Sequence, residues 1–469
     1  MKDGHTYRPP ILRVVGERAF PGELVIDNFA GGGGASSGIE AAIGRPVDIA
    51  INHDARAIAM HEANHPETRH YVEDIWSVDP REACAGLPVG LVWFSPDCTH
   101  FSRARGTSPK EKNIRGLADV IPRWMEAVRP RVVVVENVPE FKTWGPLGKD
   151  GRPDKSRAGV TFRAWCGKIR SLGYTIDWQD MRAADYGAPT TRNRWFLVAR
   201  RDGRTPAFPA PTHGEGLLPY RTAAECIDWS HPVRSIFNRK RPLAEATQRR
   251  IAMGIAKFVQ GAGEPYIVRH GHYSKRTGAG LVEGKGAGLF RGQPLTQPLA
   301  TICATNDKNL VIPYVAKHNG GAIGAIGQRL DDPLHTITAR DTKALTAALL
   351  APAGHPRRGH DVHAFLMKYY GSAGTVGQSL RTPLHTITTR DRFALVEIHG
   401  EPYRIVDIGM RMLQPGELYL AQGFDAGYHF EKDSAGAPFT KTDQIRMVGN
   451  SVSPPVAQAI VTEATRSVA

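Results

Sequence analysis

Between residues 23 and 200, short apolar runs alternate with stretches of helix length, and this alternation leaves few ways for the chain to fold. The series runs ELVIDNFA, SGIEAAIG, VDIAINHD, AIAMHEANH, GLVWFSPD, LADVIPRWMEAV and RVVVVENV, then closes with YTIDWQDMRAADYG and RNRWFLVAR. Runs such as VVVV are apolar at every position, as in strands covered on both faces. The pattern therefore predicts a βαβ series with a buried parallel sheet, doubly wound. Ligands of such sheets gather at the carboxyl ends of the strands, so the residues just after each apolar run carry most of the functional information.

The first run passes directly into four glycines, VIDNFAGGGGASSGIEAA (25–42). Glycines there let backbone N–H groups at a helix N-terminus approach a nucleotide-like cofactor closely, with Asp54 and Asp74 placed after the next two strands. Taken alone, this turn fits NAD, and an NAD-dependent oxidoreductase is the reading that the fold level allows. The next two strand ends point elsewhere. In FSPDCTHFSRARG (94–106), Cys98 sits where the apolar run stops, with His100, Arg103 and Arg105 behind it. A thiol attacks as thiolate, so exposure at a strand end and positive neighbours suit a nucleophile. In VVVVENVPEF (132–141), Glu136 falls at the end of the following strand, where the sheet would bring it into one pocket with Cys98.

The chain has 60 Lys plus Arg against 46 Asp plus Glu, a formal charge of +14, which favours a polyanionic partner. No run approaches 18 uninterrupted apolar residues and no basic amphipathic helix is evident, so a membrane is not expected and a cytoplasmic protein is. The five cysteines are scattered and never spaced C-x-x-C, which predicts neither a disulfide framework nor a metal site.

Residues 265–398 differ in character, being rich in Gly, Thr and His, and contain an internal repeat. QPLATICATNDKNL (297–310), DPLHTITARDTKAL (332–345) and TPLHTITTRDRFAL (382–395) share P-L-x-T-I, a polar turn and a resuming apolar strand. Upstream of each, a strand ends in basic and aromatic residues followed by glycines: PYIVRHGHYS, PYVAKHNGG and AFLMKYYGSAG. The period of about 50 residues marks stacked β units. Arg269, His270, Lys317, His318, Lys368, Tyr369 and Tyr370 recur where each glycine loop begins, as donors and aromatics suited to reading base edges.

In their order, these segments resemble the motifs of the DNA cytosine-5 methyltransferases. FAGGGG (29–34) resembles the family's cofactor turn, PDCTHFS (96–102) its nucleophile loop, ENV (136–138) its Glu motif and TTRNR (190–194) its Arg motif. RMLQPGELYLAQGF (411–424) and MVGNSVSPPVAQAI (447–460) are similar to its closing segments. The resemblance implies a Rossmann-like S-adenosylmethionine-dependent α/β domain with a mixed sheet over 1–204, completed by 440–469. It further implies a β-rich target-recognition domain over 205–439 that contains the three repeats. Cys98, Glu136, Arg192 and Arg194 would be catalytic. Cys98 would add to C6 of a cytosine flipped out of duplex DNA while Glu136 protonates N3 and holds the exocyclic amine. Phe29, Gly31, Gly33, Asn52, Asp74, Pro96 and Asn450 would surround S-adenosylmethionine. Arg103 and Arg105 would steer phosphate, and the repeat residues named above would bind DNA.

The sequence departs from the family pattern at three places. Asn52 stands where an acidic residue usually holds the ribose, and an amide bonds hydroxyls less strongly than a carboxylate. Thr190 stands where a Gln usually opens the Arg motif, and Asp97 stands where Pro usually precedes the nucleophile. The resemblance implies a monomer acting on double-stranded DNA, with a cognate restriction endonuclease as a candidate partner. An RNA cytosine-5 methyltransferase and a catalytically silent DNA-binding protein are the competing readings.

Overall fold

The computed structural model describes residues 19–96, 116–148, 153–228, 231, 233–237, 239–255, 266–269, 292–294, 308–317, 327–339, 343–352, 395–398 and 401–466. They form two units. One comprises residues 1–221, 333–340 and 418–469, the other residues 222–332 and 341–417.

The first unit is built on a seven-stranded sheet. Its strands are β1 (Leu24–Asn28), β2 (Ile49–Asn52), β3 (Arg69–Val72), β4 (Val89–Phe94), β5 (Val132–Asn137), β6 (Thr175–Arg182) and β7 (Asn193–Arg200), in the order β3-β2-β1-β4-β5-β7-β6. The first five pair in parallel, while β7 runs antiparallel between β5 and β6. The sheet is thus doubly wound and mixed, as the resemblance implies, whereas the alternation predicts parallel pairing alone and β7 departs from it. Helices α1 (Gly34–Ile43), α2 (Ala55–Asn64), α3 (Pro80–Cys84), α4 (Val120–Val128) and α5 (Val160–Ser171) connect the strands.

Alternate residues of each strand enter different cores, which explains the unbroken apolar runs. Val133 and Val135 pack with Trp124, Phe141, Trp165 and Trp195 on one face. Val132 and Val134 pack on the other with Trp93, Phe196, Ile39 of α1, and Val456 and Ile460 of the closing helix Pro454–Arg466. The parity continues past the apolar residues. Asp27 and Glu136 share a face with the closing helix, whereas Asn28 and Asn137 belong to the opposite one.

The boundaries of this unit differ from the expected 1–204 and 440–469 in three places, each with a visible cause. Residues 205–221 stay with the sheet because Thr212 N–H donates to Asp185 O, Tyr186 Oη to Pro209 O, and Arg182 bonds Tyr220. Residues 418–439 stay because Tyr419 stacks on Tyr428 and Phe430, Tyr428 Oη donates to Gly32 O, and Asn64 exchanges two hydrogen bonds with His429. The third is the segment 333–340, taken from inside the repeat region.

The second unit is a β structure, as expected. Its strands Lys308–Lys317, Lys343–Pro352 and Glu401–Met412 pair antiparallel at the centre of an eight-stranded sheet. Helix Glu245–Gly254 supplies Ile251 and Ala252 to a core with Tyr314, Ala348, Ile405 and Ile408, and Tyr314 Oη donates to Ile251 O at 2.9 Å. A buried Arg411–Glu417 pair, bonded through both carboxylate oxygens at 2.6 and 2.8 Å, ties Glu401–Met412 to the following turn. Among the described residues, no helix is long and apolar enough to cross a membrane.

Candidate active site and cofactor cradle

Glu136 is the last residue but one of β5 and lies opposite Phe196 of the antiparallel β7. Arg194 is two residues from Phe196, so it shares that strand face. Its Nε lies 3.1 Å from Glu136 Oε1, with the Glu136 side chain only 9% and the Arg194 side chain 17% exposed. A charge-assisted pair this sheltered fixes the orientation of the carboxyl more firmly than a surface ion pair would.

Arg192, one turn of the pleat earlier, is buried and does something different. Its Nη1 donates to Ile337 O at 3.2 Å and Gly449 O at 3.0 Å. It thereby holds together the loop before β7, the 333–339 segment and the end of helix Lys441–Asn450. The backbone continues the same contact. Leu334 N–H donates to Pro189 O and Thr191 N–H to Leu334 O, with Leu334 and Ile337 almost fully buried. Gly449 permits this approach, since a Cβ there would lie 2.3 Å from both Ala339 N and Thr338 C. Thr190, in place of the family's Gln, is buried and accepts the Arg192 N–H on its own Oγ1 at 3.3 Å. Glu136, Arg192, Arg194 and Ser453 also line one void of about 10 Å³.

The nucleophile candidate Cys98, with Asp97, His100, Arg103 and Arg105, lies outside the described residues. The chain can be followed to Pro96, whose carbonyl accepts Asn137 Nδ2 at 3.1 Å, while Asn137 Oδ1 accepts Val138 N–H at 2.9 Å. Asn137, buried next to Glu136, thus ties the end of β5 to the point where the Cys98 loop departs. Sequence reasoning passed it over, although its place in the ENV motif was a signal.

At the cofactor turn, Phe29 has φ +62° and Gly31 and Gly33 have φ +56° and +97°. Gly33 is required by the protein itself, because a Cβ there would stand 2.6 Å from Tyr428 Oη and 2.8 Å from His65 Nε2. Gly31 instead faces open space, where the nearest atom to such a Cβ would be Phe29 O at 3.9 Å. Beneath the turn, Asn28 is fully buried with neither amide atom hydrogen-bonded, and Asp27 Oδ1 also has no hydrogen-bond partner. An open glycine beside buried, unspent donors and acceptors fits a polar ligand with an N–H-seeking group, as S-adenosylmethionine is.

The surrounding positions have mixed duties. Asn52 Oδ1 accepts Asp54 N–H at 2.8 Å. Asp54 caps α2 by accepting Arg56 and Ala57 N–H groups and pairs with Arg446. Burial opposes ionisation of Asp54, but Arg446 and the cap outweigh it and hold the carboxyl below its usual range. Asp74 is exposed past β3, with Oδ1 accepting Trp76 N–H at 2.9 Å. Asn450 is exposed at the end of helix Lys441–Asn450, next to the Gly449 carbonyl that Arg192 engages.

Sequence reasoning also missed a polar chain below the turn. Ser36 Oγ donates to Asp27 Oδ2 at 2.8 Å, His61 Nε2 lies 2.9 Å from Ser36 Oγ, and His70 Nε2 lies 2.8 Å from His61 Nδ1. Desolvation pushes the Asp27 carboxyl up to about 7, only partly offset by Ser36 and His65. Burial, aided by His65 and His70, holds His61 well below the usual imidazole range.

Of the repeat residues, Arg269 and Lys317 end the strands Tyr266–Arg269 and Lys308–Lys317. His270, His318, Lys368, Tyr369 and Tyr370 lie outside the described residues. The P-L-H-T-I stretch of the second repeat is not a strand of the second unit. It bridges Leu334 to Thr190 in the first.

A family model for C-5 cytosine-specific DNA methylase matches residues 24–249 and 358–466. The type II methyltransferase M.AquIA of Picosynechococcus is 30% identical over 228 residues, which cover 44% of this chain and 89% of that protein. M.SacI of Streptomyces achromogenes is 29% identical over 209 residues, covering 40% of this chain and 50% of that protein. The match likewise spans about half the length of several other curated relatives. The crystal structure of a DNMT2 variant from Spodoptera frugiperda aligns over 94% of this chain and 99% of that one, with 12% identity and a TM-score of 0.49.

Proposed function

Because the chain belongs to the C-5 cytosine-specific DNA methylase family, we propose that it is a DNA (cytosine-5)-methyltransferase working on duplex DNA through Cys98 and Glu136. The observation that carries this reading is the sheltered Glu136–Arg194 pair, one residue from the Asn137–Pro96 bond that anchors the departing Cys98 loop.

In the proposed mechanism the target cytosine leaves the stack, since a stacked and paired base exposes neither the ring face at C6 to a thiolate nor N3 to a carboxyl. The Cys98 thiolate forms a bond to C6 while Glu136 gives a proton to N3, so the ring's electron density collects at C5. Arg194 holds the Glu136 carboxyl in place for that transfer. Arg192, with both carbonyl contacts engaged, acts as a positioning residue for the loop that carries Arg194. S-adenosylmethionine, when bound, supplies the electrophilic methyl that C5 accepts. A base then takes the C5 proton, which re-forms the C5–C6 double bond and expels the Cys98 sulfur as thiolate, while the N3 proton returns to Glu136.

The residues fitted to hold the cofactor are Phe29, Gly31, Gly33 and Asn28 at the turn, with Asn52, Asp74, Pro96 and Asn450 around it. Asn52 presents its amide as a donor to the ribose, its Oδ1 being engaged by Asp54. Target choice rests with the repeat region, through Arg269, His270, Lys317, His318, Lys368, Tyr369 and Tyr370, while Arg103 and Arg105 engage phosphate.

The test is to express the protein from a plasmid and map its modified cytosines, with Cys98→Ser as the control. Purified protein is then offered duplexes carrying 5-fluorocytosine at the mapped site. A covalent adduct that needs both methyl donor and Cys98 supports the proposal. Modification of RNA with none of DNA would replace it with the RNA reading, and no adduct with either would remove the mechanism.

A further inference from the structure

We propose that the first unit carries a second anion site, a cleft of arginines at the opposite ends of the sheet strands from Glu136, that binds the phosphate groups of a polyanion.

The cleft encloses about 670 Å³ and is lined by Glu23, Arg129, Arg131, Arg201, Asp202 and Arg204 among others. That volume is in the range of ligand pockets. Its residues precede β1, precede β5 and follow β7, so the cleft opens where β1, β4 and β5 begin. The five residue-to-residue steps from Arg131 to Glu136 place about 16 Å of strand between it and the candidate active site.

The rim is built on backbone bonds within the sheet. Arg131 N–H donates to Val89 O at 3.0 Å, Arg201 N–H to Arg131 O at 3.1 Å, and Leu24 N–H to Pro88 O at 2.8 Å. Arg129 is held at φ +46°, a left-handed conformation that side-chain-bearing residues seldom adopt, as the C-terminal cap of α4. Thr175 Oγ1 donates to Arg204 O at 2.6 Å, which fixes the far wall to β6.

Charge in the cleft is uneven. Glu23 is taken by Arg131 at 2.8 Å, and Asp202 is taken by the buried Arg200. Hydrogen bonds from Arg200 hold the Asp202 carboxyl below its usual range, so it stays ionised and committed. Arg129, Arg201 and Arg204 are left, all exposed and none in a direct side-chain ion pair among the described residues, although Arg204 also feels Asp202, whose Oδ1 accepts its backbone N–H at 3.2 Å. Three guanidinium groups outside any direct ion pair, around one concavity, suit oxyanions with several charges, which guanidinium forks bind in bidentate fashion. The phosphates belong either to the backbone of a DNA segment away from the target cytosine or to a free polyphosphate.

The variant Arg129→Gln/Arg201→Gln/Arg204→Gln keeps every bond described above, because those bonds use backbone atoms or other side chains. Its thermal melting and S-adenosylmethionine binding should match the parent, which also separates this test from the fate of the methyltransferase reading. Two titrations are run on the full chain, one with inorganic tripolyphosphate and one with a long duplex that lacks cytosine, over a range of salt. If the source is DNA, the triple variant binds duplex more weakly and the slope of log K against log salt falls by about 3, near 0.9 per lost phosphate contact. If the source is a free polyphosphate, tripolyphosphate binding drops at least tenfold while the duplex slope stays unchanged. Parent and variant behaving alike in both titrations would overturn the site.

Discussion

Arg194 Nε and Glu136 Oε1 stand 3.1 Å apart at the carboxyl end of β5, on the face that the closing helix covers. The antiparallel insertion of β7 makes this meeting possible, because it brings residue 194 past the end of a strand that runs the other way. Removing either partner should therefore disable the same step. We expect Glu136→Gln to lower the single-turnover methylation rate by about 10²-fold or more, the usual yield of a positioned proton donor. Arg194→Ala should fall in the same direction, with S-adenosylmethionine affinity within twofold of the parent in both. A Glu136→Gln enzyme at full rate would remove this carboxyl from the chemistry.

Gly449→Ala probes the seat of the 333–339 segment. The new methyl would collide with backbone at Ala339 and Thr338, which cannot swing aside as a side-chain tip would. Overpacking of this kind typically costs about 1–3 kcal/mol. Limited proteolysis should show earlier cleavage near residues 333–340, and methylation should slow while cofactor affinity is kept. An unaltered digestion pattern would contradict the close approach.

Glu417→Ala tests the second unit. It strands the buried Arg411 guanidinium, and it also removes the acceptor for Asp228 and Gln414 N–H groups at 2.8 and 2.6 Å. Breaking one side of a buried pair costs roughly 3–5 kcal/mol, whereas replacing both with apolar residues is often close to neutral. Urea unfolding should show that loss for Glu417→Ala and a much smaller one for Arg411→Met/Glu417→Leu.

Asp27 should give the protein a pH signature. Its folded-state value is raised from 3.8 to about 7, so below the unfolded value both states are protonated and its stabilising effect is fully present. As pH rises toward 7 the unfolded chain has released its proton while the folded one still holds it, and stability falls by up to a few kcal/mol. His61 opposes this, because acid protonates the unfolded imidazole before the buried one. The comparison with Asp27→Asn isolates the carboxyl. The variant should gain on the parent between pH 4 and 7 in denaturant midpoint, and parallel curves would refute the raised value.

Much of the first unit was legible in the linear chain because its signals are local. A strand buried on both faces must be apolar at every position, and β5 announces itself as VVVV with Glu136 just past the run. The glycine turn is partly local, since a left-handed backbone beside a helix start favours Gly, while the packing of Tyr428 and His65 against Gly33 depends on the rest of the chain. The two arginines of TTRNR were a different matter. They share a motif and a charge, yet Arg194 meets Glu136 while Arg192 is occupied by carbonyls of residues 337 and 449. Nothing within reach of the motif distinguishes them.

By itself the sequence determined the alternating architecture, the basic character of the chain and the order of the motifs. These follow from periodicity, composition and backbone sterics, which act over a few residues. Tertiary structure decided where β7 inserts, that residues 333–340 of a repeat pack with the α/β unit, that Asp27 lies at the end of a buried hydroxyl–imidazole chain, and that three arginines share a cleft. Each depends on groups distant in the chain coming within hydrogen-bond or van der Waals range, and only the folded packing sets those distances.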